Sequence, residues 1–170
     1  MDNVNHVMID IETAGKSENA IVLTIAAVDI FNPENHIYLK LNSYEQHEQF
    51  KRSMDVDTMF WWFSQSKEII DENWFGLQGQ VSDLYHWLGR FGFDVRVWAN
   101  GVDFDLPIVK SLLKDYGIPV YWQYYNQRCM RFLKDHPKFC SMFNEIRERK
   151  HSALDDALFQ AKIVRKFLEN

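Results

Sequence analysis

Cysteine is scarce in this chain, which has 2 cysteines among 170 residues, Cys129 and Cys140. Neither has a partner at the short spacing typical of a zinc ligand pair, so a metal site built on cysteines is not indicated. The sequence shows no export signal, and we therefore expect two reduced thiols and a cytoplasmic protein.

Long apolar runs, signal peptides and low-complexity tracts are also missing. The longest apolar run, Ala20–Ile30, contains Thr24 and Asp29 and is too short and too polar to span a bilayer. The chain opens with MDNVNH, which carries an acid where a signal peptide would carry basic residues. We expect no contact with membranes and, because no linker or repeat interrupts the chain, a single domain over residues 1–170.

The charge is unevenly distributed along the chain. Residues 1–127 contain 9 Lys and Arg against 18 Asp and Glu, whereas residues 128–150 contain 7 Lys and Arg against 3 Asp and Glu. The net charge of −5 argues against a protein that coats nucleic acid nonspecifically. The basic stretch that ends just before His151 is by itself more typical of a solvated helical face than of a binding site.

Hydrophobic periodicity predicts an α/β fold with a mixed five-stranded sheet and helices on both of its faces. The predicted strands are His6–Ile11, Ala20–Phe31, His36–Leu41, Val95–Ala99 and Val120–Tyr125. Helical periodicity runs from Val56 to Phe91, over Pro107–Tyr116 and over Ala153–Leu168. The short turn at Asn32-Pro33 predicts antiparallel pairing of the second and third strands. We expect the strand of Asp10 to lie between the second strand and Val95–Ala99.

Acidic residues occur at three places where a strand or a helix begins or ends. Asp10 and Glu12 are two residues apart at the end of a strand, so both carboxylates project from one face of the sheet. Most D-x-E pairs are ordinary solvent-facing acids, and this one is distinguished by the apolar strand before it. Two like charges this close require a compensating cation if both are to stay ionised.

The second place is WANGVDFDLPIV, Trp98–Val109, where a strand leads into a helix. An aspartate at a helix N-terminus is explained by capping and by the helix dipole. That explanation accounts for one of Asp103 and Asp105 more readily than for both. If this strand lies beside the first, one of the two aspartates comes close to Asp10.

The third place is the start of the last helix, KHSALDDA. Ser152 and Asp155 fit a capping box, with Ser152 as the N-cap and Asp155 bonding back to it. Asp156 lies about 100° further round the helix and capping does not explain it. His151 precedes the cap, where its ring can approach whatever Asp156 faces, although joint ligation of one metal by this pair is not indicated.

Clustered carboxylates with a nearby histidine are typical of a two-metal phosphoryl-transfer site, in which Mg²⁺ or Mn²⁺ ions lie roughly 3.5–4 Å apart. A histidine can take the proton from the attacking water. Unrelated surface acids are the alternative, and the composition alone does not exclude them.

Three motifs in this order resemble the DEDDh exonucleases, a superfamily with a ribonuclease H-like fold. They are DIET (Asp10–Thr13), N-x3-F-D (Asn100–Asp105) and H-x4-D (His151–Asp156). One small branch of this superfamily contains the mycobacterial 3′-5′ exoribonuclease and the T-even phage exonuclease A. The chain most resembles this branch in the TMFWWFSQS segment (Thr58–Ser66) and in the sequences around the second and third motifs. The resemblance covers essentially the whole chain, with one departure: three residues rather than two separate Asn100 from the aromatic.

The resemblance implies a role for each motif residue. It makes four carboxylates the ligands of two divalent ions, Mg²⁺ or Mn²⁺: Asp10, Glu12, Asp105 and Asp156. It makes His151 the general base, and it selects Asp156 over Asp155 and Asp105 over Asp103.

The resemblance implies a 3′-5′ exonuclease that acts on single-stranded RNA or DNA and releases nucleoside 5′-monophosphates. Thr13, Trp62 and Asn100 are candidate substrate contacts, although packing is the more common role for the Trp61-Trp62 pair. A homodimer is left open. One rival function is a non-catalytic module of the same fold that binds nucleic acid or associates with a polymerase or repair complex. The other is a hydrolase of small oligonucleotides or dinucleotides.

Overall fold

A computed structural model describes residues 4–144 and 151–170 of the chain. Five strands form one mixed sheet in the order β3-β2-β1-β4-β5. The strands are β1 (His6–Thr13), β2 (Val22–Asp29), β3 (His36–Lys40), β4 (Arg96–Ala99) and β5 (Gln127–Cys129). Part of the basic stretch identified in the sequence, residues 145–150, lies outside the described residues.

Six α-helices occur in the described residues: α1 (Ser43–Phe50), α2 (Val56–Phe63), α3 (Lys67–Trp74), α4 (Val81–Leu88), α5 (Asp105–Asp115) and α6 (Ala153–Leu168). Short 3₁₀ helices cover Gly89–Phe91, Tyr124–Asn126, Arg131–Lys134 and Cys140–Asn144. The long helical region predicted from Val56 onward is thus three separate helices, while the bounds predicted for the last helix are confirmed. No helix within the described residues is long and apolar enough to cross a membrane.

β1 lies at the centre of the sheet, which confirms the predicted strand order. It pairs antiparallel with β2 and parallel with β4. Met8 pairs with Trp98, so Asp10 and Asn100, each two residues further along, reach the same edge of the sheet. The carboxyl ends of adjacent parallel strands are where open α/β sheets bind their ligands.

Side chains of β1 alternate between the two faces of the sheet, and both faces are covered by helices. Val7, Ile9 and Ile11 are buried in a core cluster that includes residues of α4 and α5. Met8 is buried on the other face, in a cluster with residues of α6. Asp10 and Glu12 continue the alternation of Met8 and therefore project toward α6.

The fifth strand is Gln127–Cys129, and the prediction of a strand at Val120–Tyr125 was wrong. The aromatic residues of that segment pack instead of pairing: Trp122 is buried, and Tyr121 stacks on Phe93 with ring centroids 4.7 Å apart. Aromatic residues favour strands because they pack well on a half-buried surface, and here a loop provides that surface. β1 also continues two residues past its predicted end, with a register shift between Glu12 and Thr13.

Candidate active site

Three carboxylates from β1 and α6 converge at the carboxyl edge of β1. One oxygen from each of Asp10, Glu12 and Asp156 lies within 4.8 Å of the others. β1 supplies two of them because residues two apart in a strand share a face, and α6 supplies the third from its first turn. Oxygen atoms at this separation can hold a hard divalent cation.

The two adjacent aspartates in the first turn of α6 have different hydrogen-bond partners. Ser152 is the N-cap, and its Oγ accepts a hydrogen bond of 3.5 Å from the backbone N–H of Asp155. The Asp156 carboxylate instead accepts a bond of 3.2 Å from the backbone N–H of His151. The capping role predicted for Ser152 is therefore confirmed. Asp156 is the aspartate that, with Asp10 and Glu12, forms the acidic cluster.

Asp105 is the first residue of α5 and is buried, whereas Asp103 is exposed. The Asp105 carboxylate accepts a hydrogen bond of 3.2 Å from the backbone N–H of Gly101. Asp105 is not in the group of three, but it lines the same cavity. Of the two aspartates in this segment, Asp105 is thus the one that faces the acidic cluster.

Burial changes the ionisation of two carboxylates that line this part of the protein. Burial, and to a smaller extent the Asp105 carboxylate, raises the pKa of Glu12 to about 8. Burial also raises the pKa of Asp105 to about 6, although hydrogen bonds from backbone N–H groups and the charge of Arg131 oppose this shift. Both groups therefore hold protons more tightly than free carboxylic acids, because burial disfavours the charged form.

Gln160 is a residue of the site that the sequence did not indicate. Its Nε2 donates a hydrogen bond of 2.6 Å to Oδ1 of Asp10, and its Oε1 is buried without a partner in the described part of the chain. Gln160 follows Asp156 by one helical turn, so the two share a face of α6. That i, i+4 spacing is the signal in the sequence that could have identified it.

His151 lies at the rim of the acidic cluster in an unusual backbone conformation. Its φ angle is 64°, in the left-handed region that residues other than glycine rarely adopt. The buried amide of Asn73 on α3 donates a bond of 2.7 Å to the His151 carbonyl. Its ring meets the Trp61 ring edge to face, with centroids 4.7 Å apart.

A cavity of about 510 Å³ brings the predicted catalytic residues together. Its lining includes all five of them, from three separate segments of the chain: Asp10, Glu12, Asp105, His151 and Asp156. Arg131 and Lys134 form a basic wall, and Phe104, Phe143 and Phe159 contribute aromatic surface. Asn100 also lines the cavity, and its Oδ1 is buried with no hydrogen-bond partner in residues 4–144 and 151–170.

A second cavity of about 330 Å³ shares Ile11, Glu12 and Phe104 with the first. Thr13 lines it, and its hydroxyl donates a bond of 2.6 Å to the Gly15 carbonyl. The exposed Trp61 is also part of its lining. Thr13 and Asn100 are thus placed at cavities, as their predicted substrate contacts require.

Trp62 does not fit its predicted contact with substrate. Its side chain is 1% exposed, and its indole N–H donates a bond of 2.9 Å to the Thr13 carbonyl. It packs in a cluster with Ala14, Ile21 and Leu23. A ring enclosed in this way cannot stack on a base, so Trp62 is a packing residue and Trp61 is the tryptophan at the cavity.

Solved structures similar in fold include two nucleases. The nuclease domain of 3′hExo, a DEDDh family member bound to rAMP, has a TM-score of 0.60 and 10% sequence identity over 97% of this chain and 92% of that one. Cell-death related nuclease 4 (CRN-4) has a TM-score of 0.56 and 14% identity over 97% of this chain and 64% of that one. At these identities the likeness shows the fold, which is the predicted ribonuclease H-like fold of DEDDh nucleases.

The sequence comparisons identify the family. No individual curated protein matches the chain. The family model of the 3′-5′ exoribonuclease Rv2179c-like domain matches residues 5–168, and so spans all three motifs and the carboxylates that they bring together. The chain therefore belongs to the Rv2179c-like 3′-5′ exoribonuclease domain family.

Proposed function

We propose that this exonuclease hydrolyses single-stranded RNA or DNA from the 3′ end and releases nucleoside 5′-monophosphates. The observation that carries the proposal is the convergence of Asp10, Glu12 and Asp156 within 4.8 Å at a cavity that also contains His151. A non-catalytic binding module would not need this full set of residue types in one place. The neighbour 3′hExo was solved with rAMP, which supports a nucleoside monophosphate as the group that occupies the cavity.

The carboxylates fit Mg²⁺ or Mn²⁺. Hard cations prefer oxygen ligands, and a bound cation would favour the ionised forms of Glu12 and Asp105, whose pKa values burial raises. Four residues would hold the ions: Asp10, Glu12, Asp105 and Asp156. When bound, the ions supply positive charge that stabilises the displacement at the scissile phosphate.

The side chains of the protein carry out the proton transfer and orient the metal ligands. His151 takes the proton of the attacking water on a ring nitrogen, which is the task of a general base. Its backbone N–H donates to the Asp156 carboxylate over 3.2 Å, so the base is tied directly to the acidic cluster. Gln160 orients the carboxylate of Asp10 by donating from Nε2.

The basic wall favours an oligonucleotide over a small nucleotide as the substrate. Two other basic residues of the described stretch have structural partners: Arg128 donates to the carbonyls of Tyr125 and Gln127, and Lys138 donates to Asn170. Arg131 and Lys134 face the cavity, where the charge of Arg131 acts on Asp105 and the Nζ of Lys134 lies 5.7 Å from the centroid of the Phe143 ring. Arginine and lysine bind phosphate groups, so we assign these two to the phosphates on the 5′ side of the scissile one.

The test is digestion of matched RNA and DNA oligonucleotides, each labelled at the 3′ or the 5′ end, with Mg²⁺ or Mn²⁺. We expect a 3′-labelled strand to lose its label as a nucleoside 5′-monophosphate at once, and a 5′-labelled strand to shorten stepwise. Asp10→Asn is the control and should be inactive. Internal cleavage, release from the 5′ end or activity that persists in a chelator would contradict the proposal.

A further inference from the structure

The TMFWWFSQS segment has no part in the function proposed above, yet it contacts the residue assigned as the general base. Trp61 lies in this segment on α2, and its ring meets the His151 ring at an interplanar angle of 82°, with centroids 4.7 Å apart. The next residue, Trp62, anchors the helix to β1 through its bond of 2.9 Å to the Thr13 carbonyl. Trp61 is therefore held on a fixed helix, beside both His151 and the end of the strand that carries Glu12.

Asn73 on α3 contacts the backbone of His151. Its side chain is buried and donates both to the His151 carbonyl, over 2.7 Å, and to the Ile69 carbonyl, over 3.0 Å. Its Oδ1 accepts a bond of 3.2 Å from the hydroxyl of Thr24 on β2. The Asn73 amide is thus held by three hydrogen bonds, to the His151 carbonyl, the Ile69 carbonyl and the Thr24 hydroxyl.

Thr24 connects this arrangement to the acidic cluster. In the pairing of β1 with β2, Thr24 lies directly opposite Glu12. A continuous path therefore runs from the strand of the carboxylates, through Thr24 and Asn73, to the backbone of His151. The left-handed φ of 64° at His151 is unfavourable for a histidine, and such a conformation persists only where surrounding contacts impose it.

We propose that Trp61 and Asn73 are positioning residues for His151. Asn73 fixes the carbonyl and with it the backbone conformation, and Trp61 restricts the imidazole to orientations that face the acidic cluster. The inference rests on the proposed role of His151 as the general base. Small displacements of a catalytic group are costly, so both residues should affect the rate of the chemical step.

A different role for each residue gives a different experimental result. Trp61 also lines the second cavity, where an exposed indole could stack on a base of the substrate. Asn73 could serve only to fasten α3 to the sheet. A substrate contact would act independently of His151, and a purely structural amide would change stability without changing kcat.

The test is a double-mutant cycle between Trp61→Ala and His151→Ala. The kcat and KM are measured at saturating Mn²⁺, and the Kd for Mn²⁺ is measured separately by titration. We expect Trp61→Ala to lower kcat by about 10- to 100-fold, with KM and the metal Kd nearly unchanged. Once His151 is absent there is no base to position, so the double variant should be as slow as His151→Ala alone. Trp61→Phe keeps an aromatic ring and should recover most of kcat.

Phe60→Ala is the matched control. Phe60 is an exposed aromatic residue on the same helix, and its removal should leave kcat at the wild-type value. Asn73→Ala extends the test to the backbone contact, because the His151 carbonyl persists when the ring is removed. Its cost in stability should therefore be the same in both backgrounds, while its effect on kcat should vanish in His151→Ala.

Three results would overturn the inference. An equal loss of kcat from Trp61→Ala with and without His151 would show that the two act independently. A rise in KM at constant kcat would make Trp61 a substrate contact. If His151→Ala itself kept the wild-type rate, the assignment of the general base would fail and the positioning role with it, whereas the first two results leave that assignment intact.

Discussion

Gln160 donates a hydrogen bond of 2.6 Å to Asp10 and thereby links α6 to β1 at the acidic cluster, across 150 positions of sequence. The Asp10 carboxylate is buried, and its proposed role as a metal ligand requires a neighbour that fixes its orientation. The Oε1 of Gln160 is buried too and has no hydrogen-bond partner among the described residues, which is unfavourable unless a donor reaches it when the site binds its ions.

Replacing Gln160 should weaken metal binding more than it weakens the fold. We expect Gln160→Met, which keeps the volume and removes both polar groups, to lower the affinity for Mn²⁺ by about 10- to 100-fold, as is usual for residues that orient metal ligands. Isothermal titration calorimetry measures this affinity directly, and thermal unfolding in a chelator measures the stability of the metal-free protein. Unchanged Mn²⁺ affinity would reduce Gln160 to a packing residue.

The adjacent aspartates of α6 form a natural matched pair. Asp156→Asn should abolish exonuclease activity, because it removes a carboxylate from the cluster. Asp155→Asn should leave activity near the wild-type level and cost at most about 1 kcal/mol of stability, the usual size of a helix-capping effect. Digestion of a labelled oligonucleotide and thermal unfolding distinguish them, and equal loss of activity in both would refute the assignment of Asp156.

Arg131 and Lys134 should control the preference for substrate length. In a dinucleoside monophosphate the scissile phosphate is the only one, whereas a five-nucleotide substrate has further phosphates that can reach the basic wall. At saturating metal, which offsets the loss of the Arg131 charge beside Asp105, Arg131→Gln and Lys134→Gln should raise KM for the longer substrate and leave KM for the dinucleoside monophosphate unchanged. For single strands, each lost phosphate contact should also reduce the dependence of log affinity on log salt by about 0.7.

Lys114→Gln is the control for the basic wall. Lys114 is exposed in the last turn of α5, at the opposite end of that helix from Asp105. Removing its charge changes the net charge of the protein as much as either test variant does. Equal changes in KM for both substrates in Arg131→Gln and Lys134→Gln, or the same change in Lys114→Gln, would contradict a phosphate-binding wall.

The sequence predicted the parts of the site that follow from short-range periodicity. Asp10 and Glu12 share a face because strand residues alternate, and Asp156 follows a cap that Ser152 forms locally. The central position of β1 followed from strand order and the pairing rules for sheets. These features depend on few residues and on well-defined geometry.

What the sequence did not predict depends on contacts between distant segments. Gln160 reaches Asp10 and Asn73 reaches His151 only once the sheet and helices have packed. Burial decided the role of Trp62, since a tryptophan on an amphipathic helix can face either way until its neighbours are known. The fifth strand was misplaced for a related reason, because aromatic residues fill loops as well as strands.

The raised pKa of Glu12 predicts how the metal-free protein responds to pH. The ordinary value is 4.5 and the folded protein raises it to about 8, so between these values the folded state keeps a proton that the unfolded state has lost. The folded state binds more protons in this window, and the free energy of unfolding therefore falls as the pH rises through it. The raised pKa of Asp105, to about 6 from 3.8, acts in the same direction over a lower range.

We expect the melting temperature in a chelator to decrease from about pH 4.5 to about pH 8, the window set by the Glu12 shift. Glu12→Gln removes the ionisable group and should flatten most of this decrease. Saturating Mg²⁺ should raise the melting temperature most at the alkaline end, because the ion binds the deprotonated carboxylates. Thermal unfolding across this pH range, with and without Mg²⁺, gives the comparison. A profile for Glu12→Gln that parallels the wild type would show that another group carries the pH dependence and that Glu12 is ionised in the folded protein without a cation.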